Sequence, residues 1–401
     1  MWQLAAGRVQ GVAMDLEQPV AVSGIAPKGG GLRSVGRGDR WLGLATLALT
    51  VVAGVASRGG GVLGFATAAI ALALLATCVG RAVDALGDRV SPAATGVLQS
   101  ALGNLPELLI LVFALRAGLL TVVQATLVGS ILANVALILG LAFVFGGLRH
   151  GTQQFSGVAA RTLGLNLLLA VAVLAVPSLT AHLHTPAAGH ERTLSVLSAV
   201  VLLVAFGLSL VHTLKPGPQH PTATIAPPSG KATDTAAADP TPPAAHASAW
   251  PLWLAVVVLA VTGVLAALVS DWFVAALTPA MTALHISDAF AGLIIVAIAG
   301  NAVENVVGIQ LAVKNRTEHA LEVVLQSPVQ IAMFVAPVVL LLAPALGAGT
   351  FTLVLPPLLL ITLLLSAALA VFITLDGEST WYEGFALIAV YTVLGAAFWW
   401  G

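Results

Sequence analysis

Long apolar runs follow one another from about residue 41 to the end of the chain, separated by short polar breaks. Eleven runs can be read, near 41–57, 61–86, 95–117, 119–147, 157–181, 193–214, 250–278, 287–313, 319–346, 350–375 and 381–400. Most approach or exceed the roughly 20 residues that a helix needs to cross a bilayer, where only helices and closed barrels satisfy their own backbone groups. The breaks carry turn chemistry: Arg58-Gly59-Gly60-Gly61, Ser91-Pro92, Arg116-Ala117-Gly118, Lys215-Pro216-Gly217-Pro218 and Asp376-Gly377-Glu378. The pattern predicts an all-α polytopic membrane protein of about eleven transmembrane helices.

Two segments break the pattern. Residues 1–40 set Arg8, Lys28, Arg33, Arg37 and Arg40 among glycines and polar residues, with no compact apolar run before a small-residue cleavage site. They read as a basic tail rather than a signal peptide. Residues 215–249 are rich in Pro, Thr and Ala and read as a flexible linker. The expected organisation is a tail (1–40), an extra transmembrane helix (41–60), a first five-helix repeat (61–214), the linker (215–249) and a second five-helix repeat (250–401).

Composition narrows the class. Of 401 residues, 59% are hydrophobic and 8% charged, with mean hydropathy +1.01. Soluble domains carry about 25% charged residues, so an ordinary soluble enzyme is excluded, as is a disordered chain. The net charge of -1 argues against a nucleic-acid partner. Membrane lipid is the expected surrounding, and oligomeric state stays open, a homo-oligomer included. Lone Cys78 forms no intrachain disulfide. With the N-terminus in the cytoplasm, thirteen of the sixteen Lys and Arg residues fall inside and only Arg58, Arg116 and Arg192 outside. That bias predicts a cytoplasmic N-terminus and linker, in an integral protein expected in the cell (inner) membrane.

Against this apolar background two carboxylates stand out. Glu107 lies midway along the third run and Glu304 along the eighth. An acid there costs roughly 2.5–3.5 kcal/mol even on mild insertion scales, and so points to function. Their surroundings match: Gly103-Asn104-Leu105-Pro106-Glu107 and Gly300-Asn301-Ala302-Val303-Glu304 are 197 residues apart (107 to 304), and the same offset relates Ser130 to Ser327. An internal duplication follows. Five spans per repeat is an odd number, so the halves have opposite orientations. Inverted repeats mark secondary transporters with a site at the midplane.

In each motif Asn and Glu, three residues apart, share one helical face, while Gly103, Pro106 and Gly300 weaken the helix and can free carbonyls toward a cavity. The next span in each half adds Ser130 and Asn134, or Gln326, Ser327 and Gln330. Carboxylates, amides, hydroxyls and carbonyls form an all-oxygen shell that suits a hard cation such as Ca²⁺ better than Mg²⁺. No Cys or His lies at either motif, which argues against Zn or Cu. Buried carboxylates also carry protons, and a proton competing with a cation is what an antiporter requires. The expected cargo is Ca²⁺ and H⁺, with no cofactor. No nucleophile–base set lies within the spans, so an enzyme is not expected. Alternatives are an antiporter of Na⁺, K⁺ or Mn²⁺, or a cation channel constricted by the two acids.

These residues resemble the calcium/proton exchangers of the calcium/cation antiporter superfamily. The similarity lies in Gly103 to Gly147, with Gly129-Ser130-Ile131-Leu132-Ala133-Asn134, and in Gly292 to Glu304. It extends to Gln330-Ile331-Ala332-Met333-Phe334-Val335-Ala336-Pro337 and Asp376-Gly377-Glu378-Ser379. The resemblance implies an eleven-helix exchanger whose calcium site is lined by Glu107, Asn104, Glu304 and Asn301, with Ser130, Asn134, Ser327 and Gln330 beside them. The chain departs from the family pattern at Asn305, where His is common, at Gln326-Ser327-Pro328 for Gly-Ser-Ser, at Gly80-Arg81 for Gly-Glu and at Ser270-Asp271 for Ser-Glu. The acidic run between the halves is missing.

Weaker signals have plainer readings. His182, His184 and His190 read as a solvated outer loop. Trp381, Trp399 and Trp400 bracket the last span as an interfacial belt. Asp84 and Asp271 flank an access route or form surface pairs. Glu322, one and a half turns before Ser327, is a vestibule candidate.

Overall fold

The computed structural model describes residues 36–87, 89, 98, 102–214 and 250–400. The predicted linker, most of the predicted tail and the Ser91-Pro92 break lie outside the described residues. Among these residues nine helices are long and apolar enough to cross a bilayer, and a bent pair, counted as one span, makes ten. The first part of the predicted third span lies outside them.

The first half holds α1 (Arg37–Gly59), α2 (Gly61–Gly87), α3 (Leu105–Arg116), α4 (Leu120–Leu132), α5 (Leu139–His150), α6 (Gly157–His182) and α7 (Glu191–Leu214). The second holds α8 (Leu252–Leu284), α9 (Asp288–Gly300), α10 (Ala302–Val313), α11 (Thr317–Gln330), α12 (Ala336–Leu342), α13 (Pro357–Thr374) and α14 (Trp381–Trp399). The duplication is visible in the backbone. Moved by 197 residues, α3 has the bounds of α10, and the C-terminal end of α2 has that of α8. A π-helical turn follows α4 at Ala133–Ile138 and α11 at Ile331–Val335, at matching places. Each has a local cause that disturbs the hydrogen-bond ladder. Asn134 Nδ2 donates to the Ser130 carbonyl at 2.9 Å in the first, and Pro328 interrupts α11 just before the second.

α1 begins at Arg37, inside the predicted tail. Asp39 in its first turn pairs with Arg81 of α2 and accepts from Trp250 Nε1 at 3.0 Å, which holds this turn against the bundle. α4 and α11, with the turns that follow them, form the most enclosed spans. Glycine permits the closest contact: a Cβ on Gly129 would collide with Leu293, and one on Gly292 would stand 2.6 Å from the Val122 carbonyl. α4 therefore lies backbone to backbone against the π turn Ala291–Val296 of α9.

The two ends of the bundle differ. At one end β1 (Gln153–Gln154) pairs antiparallel with β2 (Glu378–Ser379), tying the α5–α6 connection to the α13–α14 connection. Gln153 Nε2 reaches the Ala312 carbonyl at 3.1 Å and Asn315 Oδ1 at 3.0 Å beyond α10. At the other end the predicted tenth span is corrected. Helix α13 starts only at Pro357, because Pro356 and Pro357 hold the preceding chain extended. Residues 350–356 form an apolar strap with Phe351, Leu353 and Leu355 buried on alternate positions. Side chains take its backbone groups: Gln124 donates to the Thr352 and Val354 carbonyls at 3.0 and 2.9 Å, and Ser178 accepts from Leu355 N–H at 2.9 Å. The His182 ring meets the Leu355 carbonyl at 2.9 Å, while His184 and His190 are solvent-exposed. Trp381, Trp399 and Trp400 are exposed at the two ends of α14.

Candidate functional site

The two acidic motifs fold alike and break their spans. Asn104 and Asn301 sit immediately before α3 and α10 with φ,ψ of -92°, 16° and -103°, 22°, a sparsely populated conformation that interrupts helical geometry. In the second half the flanking helices bend by 64°. Asn and Glu therefore do not share the face of a continuous helix. Each Asn occupies the break, and each Glu lies in the first turn of the helix that follows. Helix N-termini favour negative charge, so both carboxylates stand at the positive end of a half-helix.

Glu107 is buried. Its Oε1 accepts a hydrogen bond from Ser130 of α4. Its Oε2 is buried without a partner. The side chain lies against the opposite motif: a Cβ on Gly300 would be 3.5 Å from Glu107 Cβ and Cγ. Hydrogen bonds join the other predicted residues in two sets, Asn104 with Gln330 and Asn134 with Ser327 and Asn301. Asn104 Nδ2 donates to Gln330 Oε1 at 2.9 Å. Asn134 Nδ2 reaches Ser327 Oγ at 3.4 Å, and Ser327 donates to Asn301 Oδ1 at 3.2 Å. Asn301 Nδ2 donates to the Ala297 carbonyl at 3.0 Å.

Glu304 has a different environment. It is half-buried and stands on the wall of a cleft of about 560 Å³, together with Gly103, Ser327 and Gln330. The cleft continues past Gln326, Glu322 and Thr162 toward the end of the bundle that carries β1 and β2. On the side of the strap, Leu127, Val128 and Ile131 of α4 pack with Leu353 and Leu355 around a void of only about 20 Å³. The polar site is thus approached from one end and backed by apolar packing toward the other.

All the predicted ligand residues fall in this region: Glu107, Ser130, Asn134, Asn104, Asn301, Ser327, Gln330 and Gly300 in the interlocked core, Glu304 and Gly103 on the cleft wall. Asp84 and Asp271 are exposed and do not line the cleft. Glu322 is on the cleft wall. Thr126 and Asn305, one turn before Ser130 and one residue after Glu304, were not singled out as ligands. Each has a buried oxygen without a partner, as has Asn134. Thr126 precedes Ser130 by one turn, which would have flagged it. Buried acceptors that lack donors are costly, and a cluster of oxygen acceptors is the donor set a hard cation takes. No described basic side chain pairs with either glutamate, since Arg81–Asp39 is the one ion pair among the described residues. Among those residues no group of three His, Cys, Asp or Glu side chains forms a metal cluster either, so any cation here must rely on amides and hydroxyls as well as two acids.

A membrane-embedded pair of inverted motifs, each with its acid at a helix break, defines a secondary-transporter architecture. The sodium/calcium exchanger protein family matches residues 60–215 and again 254–400, one match in each half, and the chain belongs to that family. It is 34% identical over 340 residues to a Ca²⁺/H⁺ antiporter of Aphanothece halophytica, covering 83% of this chain and 89% of the relative. It is 30% identical over 338 residues to the Ca²⁺/H⁺ antiporter ChaA of Bacillus subtilis (strain 168), covering 83% and 91%. The solved structure of selenium-substituted Ca²⁺/H⁺ antiporter protein YfkE superposes with a TM-score of 0.71 at 26% identity, over 90% of this chain and 99% of that one.

Proposed function

We propose that this protein exchanges Ca²⁺ for H⁺ by alternating access, with Glu107 and Glu304 binding cation and protons in competition. The observation that carries the reading is the unpartnered, buried Oε2 of Glu107, held against Gly300 of the opposite motif. A carboxylate enclosed there without a basic partner requires either a proton or a cation to balance it. Glu304 supplies the second negative charge that a divalent ion needs. Asn104, Asn301, Ser130, Asn134, Ser327 and Gln330 supply neutral oxygens, and the helix breaks at Gly103 and Gly300 allow carbonyls to join them. The relatives named as Ca²⁺/H⁺ antiporters support this cargo.

Residues 61–214 and 250–401 act as the two repeats, 215–249 tethers them, and 41–60 is an added helix outside the repeats. The cleft lies at the end that carries Arg149, Arg161, Lys314 and Arg316. The excess of positive charge supports a cytoplasmic position for that end, with the protein in the cell membrane and its N-terminus inside.

The test is transport by purified protein in proteoliposomes. An acidic interior should drive Ca²⁺ uptake, and added Ca²⁺ should collapse the proton gradient. Lowering pH on the Ca²⁺ side should raise the half-saturating Ca²⁺ concentration, because protons and cation share two carboxylates. Collapse by Na⁺ or K⁺ and not by Ca²⁺ would overturn the calcium assignment and leave cation antiport standing.

A further inference from the structure

The wall of the cleft contributed by α11 carries Glu322, Gln326 and Gln330, each four residues from the next. That spacing stacks side chains along one side of a helix. Exposure falls along the row: Glu322 is exposed, Gln326 half-buried and Gln330 buried. The row ends in the site itself, where Gln330 accepts from Asn104 at 2.9 Å and Glu304 shares the wall. Glu322 thus stands at the mouth of a polar track that descends to the second buried acid.

Nothing structural accounts for this carboxylate. It lies beyond the first turn of α11, where the helix dipole would favour it; Glu318 occupies that turn. It forms no ion pair, Arg81–Asp39 being the one pair among the described residues. The facing wall from α6 offers Ala159, Thr162 and Leu163, none of them charged. Glu318 lines a small crevice with Glu322 on the side of α6, and the exposed His319 lies three residues before Glu322 on the same helix. The charged residues that line the cleft and the crevice are the acids Glu304, Glu318 and Glu322, while Arg149, Arg161, Lys314 and Arg316 of the same end are not in the lining; within low-dielectric walls the field of the lining acids favours a cation.

We infer that Glu322 is a cation-capturing residue of the transport route, holding the incoming ion with the Gln326 amide oxygen before Ser327, Gln330 and Glu304 receive it. The inference rests on the reading of Glu107 and Glu304 as the transport site. Glu322 takes no part in charge balance during translocation. It governs how readily the cation arrives from the cleft side, not how fast the loaded protein turns over.

The test compares wild type, Glu322→Gln and Glu322→Asp in everted and right-side-out vesicles, with ⁴⁵Ca²⁺ as the probe. Glu322→Gln should raise the half-saturating Ca²⁺ concentration about three- to tenfold at the cleft face in low salt, with an unchanged maximum rate. The difference should shrink as ionic strength rises and the field is screened. No shift should appear at the opposite face, and Glu322→Asp, which keeps the charge, should stay near wild type. An unchanged half-saturation, an equal shift at both faces, or a fall in maximum rate alone would overturn the inference. If wild type fails to move Ca²⁺, the calcium assignment falls instead, and the same comparison is scored with the cation that wild type does move.

Discussion

Glu107 and Glu304 hold equivalent places in two copies of one motif, each in the first turn of a twelve-residue helix that follows an asparagine break. Their environments are unequal. Glu107 is buried, bonded to Ser130 and packed on Gly300, whereas Glu304 is half-buried and faces a cleft. Like sequence in unlike surroundings shows that the asymmetry belongs to the conformation and not to the motifs. In an inverted repeat, exchanging the two environments between the halves would close the cleft and open the site at the end now covered by the strap. The structure thus represents one of the two arrangements that the proposed mechanism needs.

The strongest way to break the comparison is to neutralise each acid in turn. Glu107→Gln and Glu304→Gln should each abolish exchange down to background while leaving folded protein of normal thermal stability. An amide cannot release the exchanged proton, and one remaining charge cannot balance a divalent ion. The sealed and the open carboxylate should therefore be equally essential despite their different surroundings. Normal Ca²⁺/H⁺ exchange by either purified variant would sink the two-carboxylate site.

Most of this was legible in the sequence because a bilayer makes each feature stand out. Spans show as apolar runs, and the two acids are conspicuous in such runs. The strap was misread for the same reason. Phe351, Leu353 and Leu355 are as apolar as a span, and only Pro356-Pro357 marks where the helix must begin. The break at Asn104 and Asn301 was signalled by Gly103, Pro106 and Gly300 as weakened helix, but the 64° bend depends on packing. Which acid faces the cleft could not be read at all, since the two motifs carry the same polar residues.

A smaller effect should sharpen the comparison. Asn104→Ala and Asn301→Ala should each weaken apparent Ca²⁺ affinity about tenfold, near the value of one ligand bond of about 1.4 kcal/mol, without moving the pH profile of exchange. The amides are neutral and do not titrate. Asn104 bonds Gln330 and Asn301 bonds Ser327, one neutral bond each to the same helix α11, so the two losses should be similar in size. Concentration dependence measured at two pH values decides the matter. A shifted pH profile at unchanged affinity would count against neutral ligation.

The two serines should separate the halves. Ser130 donates to Glu107, and Ser327 donates to Asn301. Ser130→Ala removes the hydrogen bond to the buried Glu107 carboxylate, a loss of about 1.5–3 kcal/mol for a bond to a charged group. Ser327→Ala removes two neutral bonds, to Asn301 and from Asn134, each of about 0.5–1.5 kcal/mol at most. Ser130→Ala should therefore change the pH dependence of exchange, and Ser327→Ala should lower affinity modestly at an unchanged pH profile. Identical pH profiles for the two variants would remove the asymmetry between the halves as an explanation.

The smallest effect is expected between the halves. Residues 215–249 connect the end of α7 to Trp250 just before α8, and they are rich in Pro, Thr and Ala with only two acids. Such a composition lacks the apolar periodicity to add to a core. If the asymmetry of Glu107 and Glu304 arises within the bundle, the connection need only span its ends. Removing the middle third leaves about 23 residues, which at about 3.3 Å each reach some 75 Å when extended, well beyond the width of a small helical bundle. Exchange by the shortened protein should stay within about twofold of wild type. Abolished transport in correctly inserted protein would show that the segment itself sets the state of the halves, and that the tether reading is wrong.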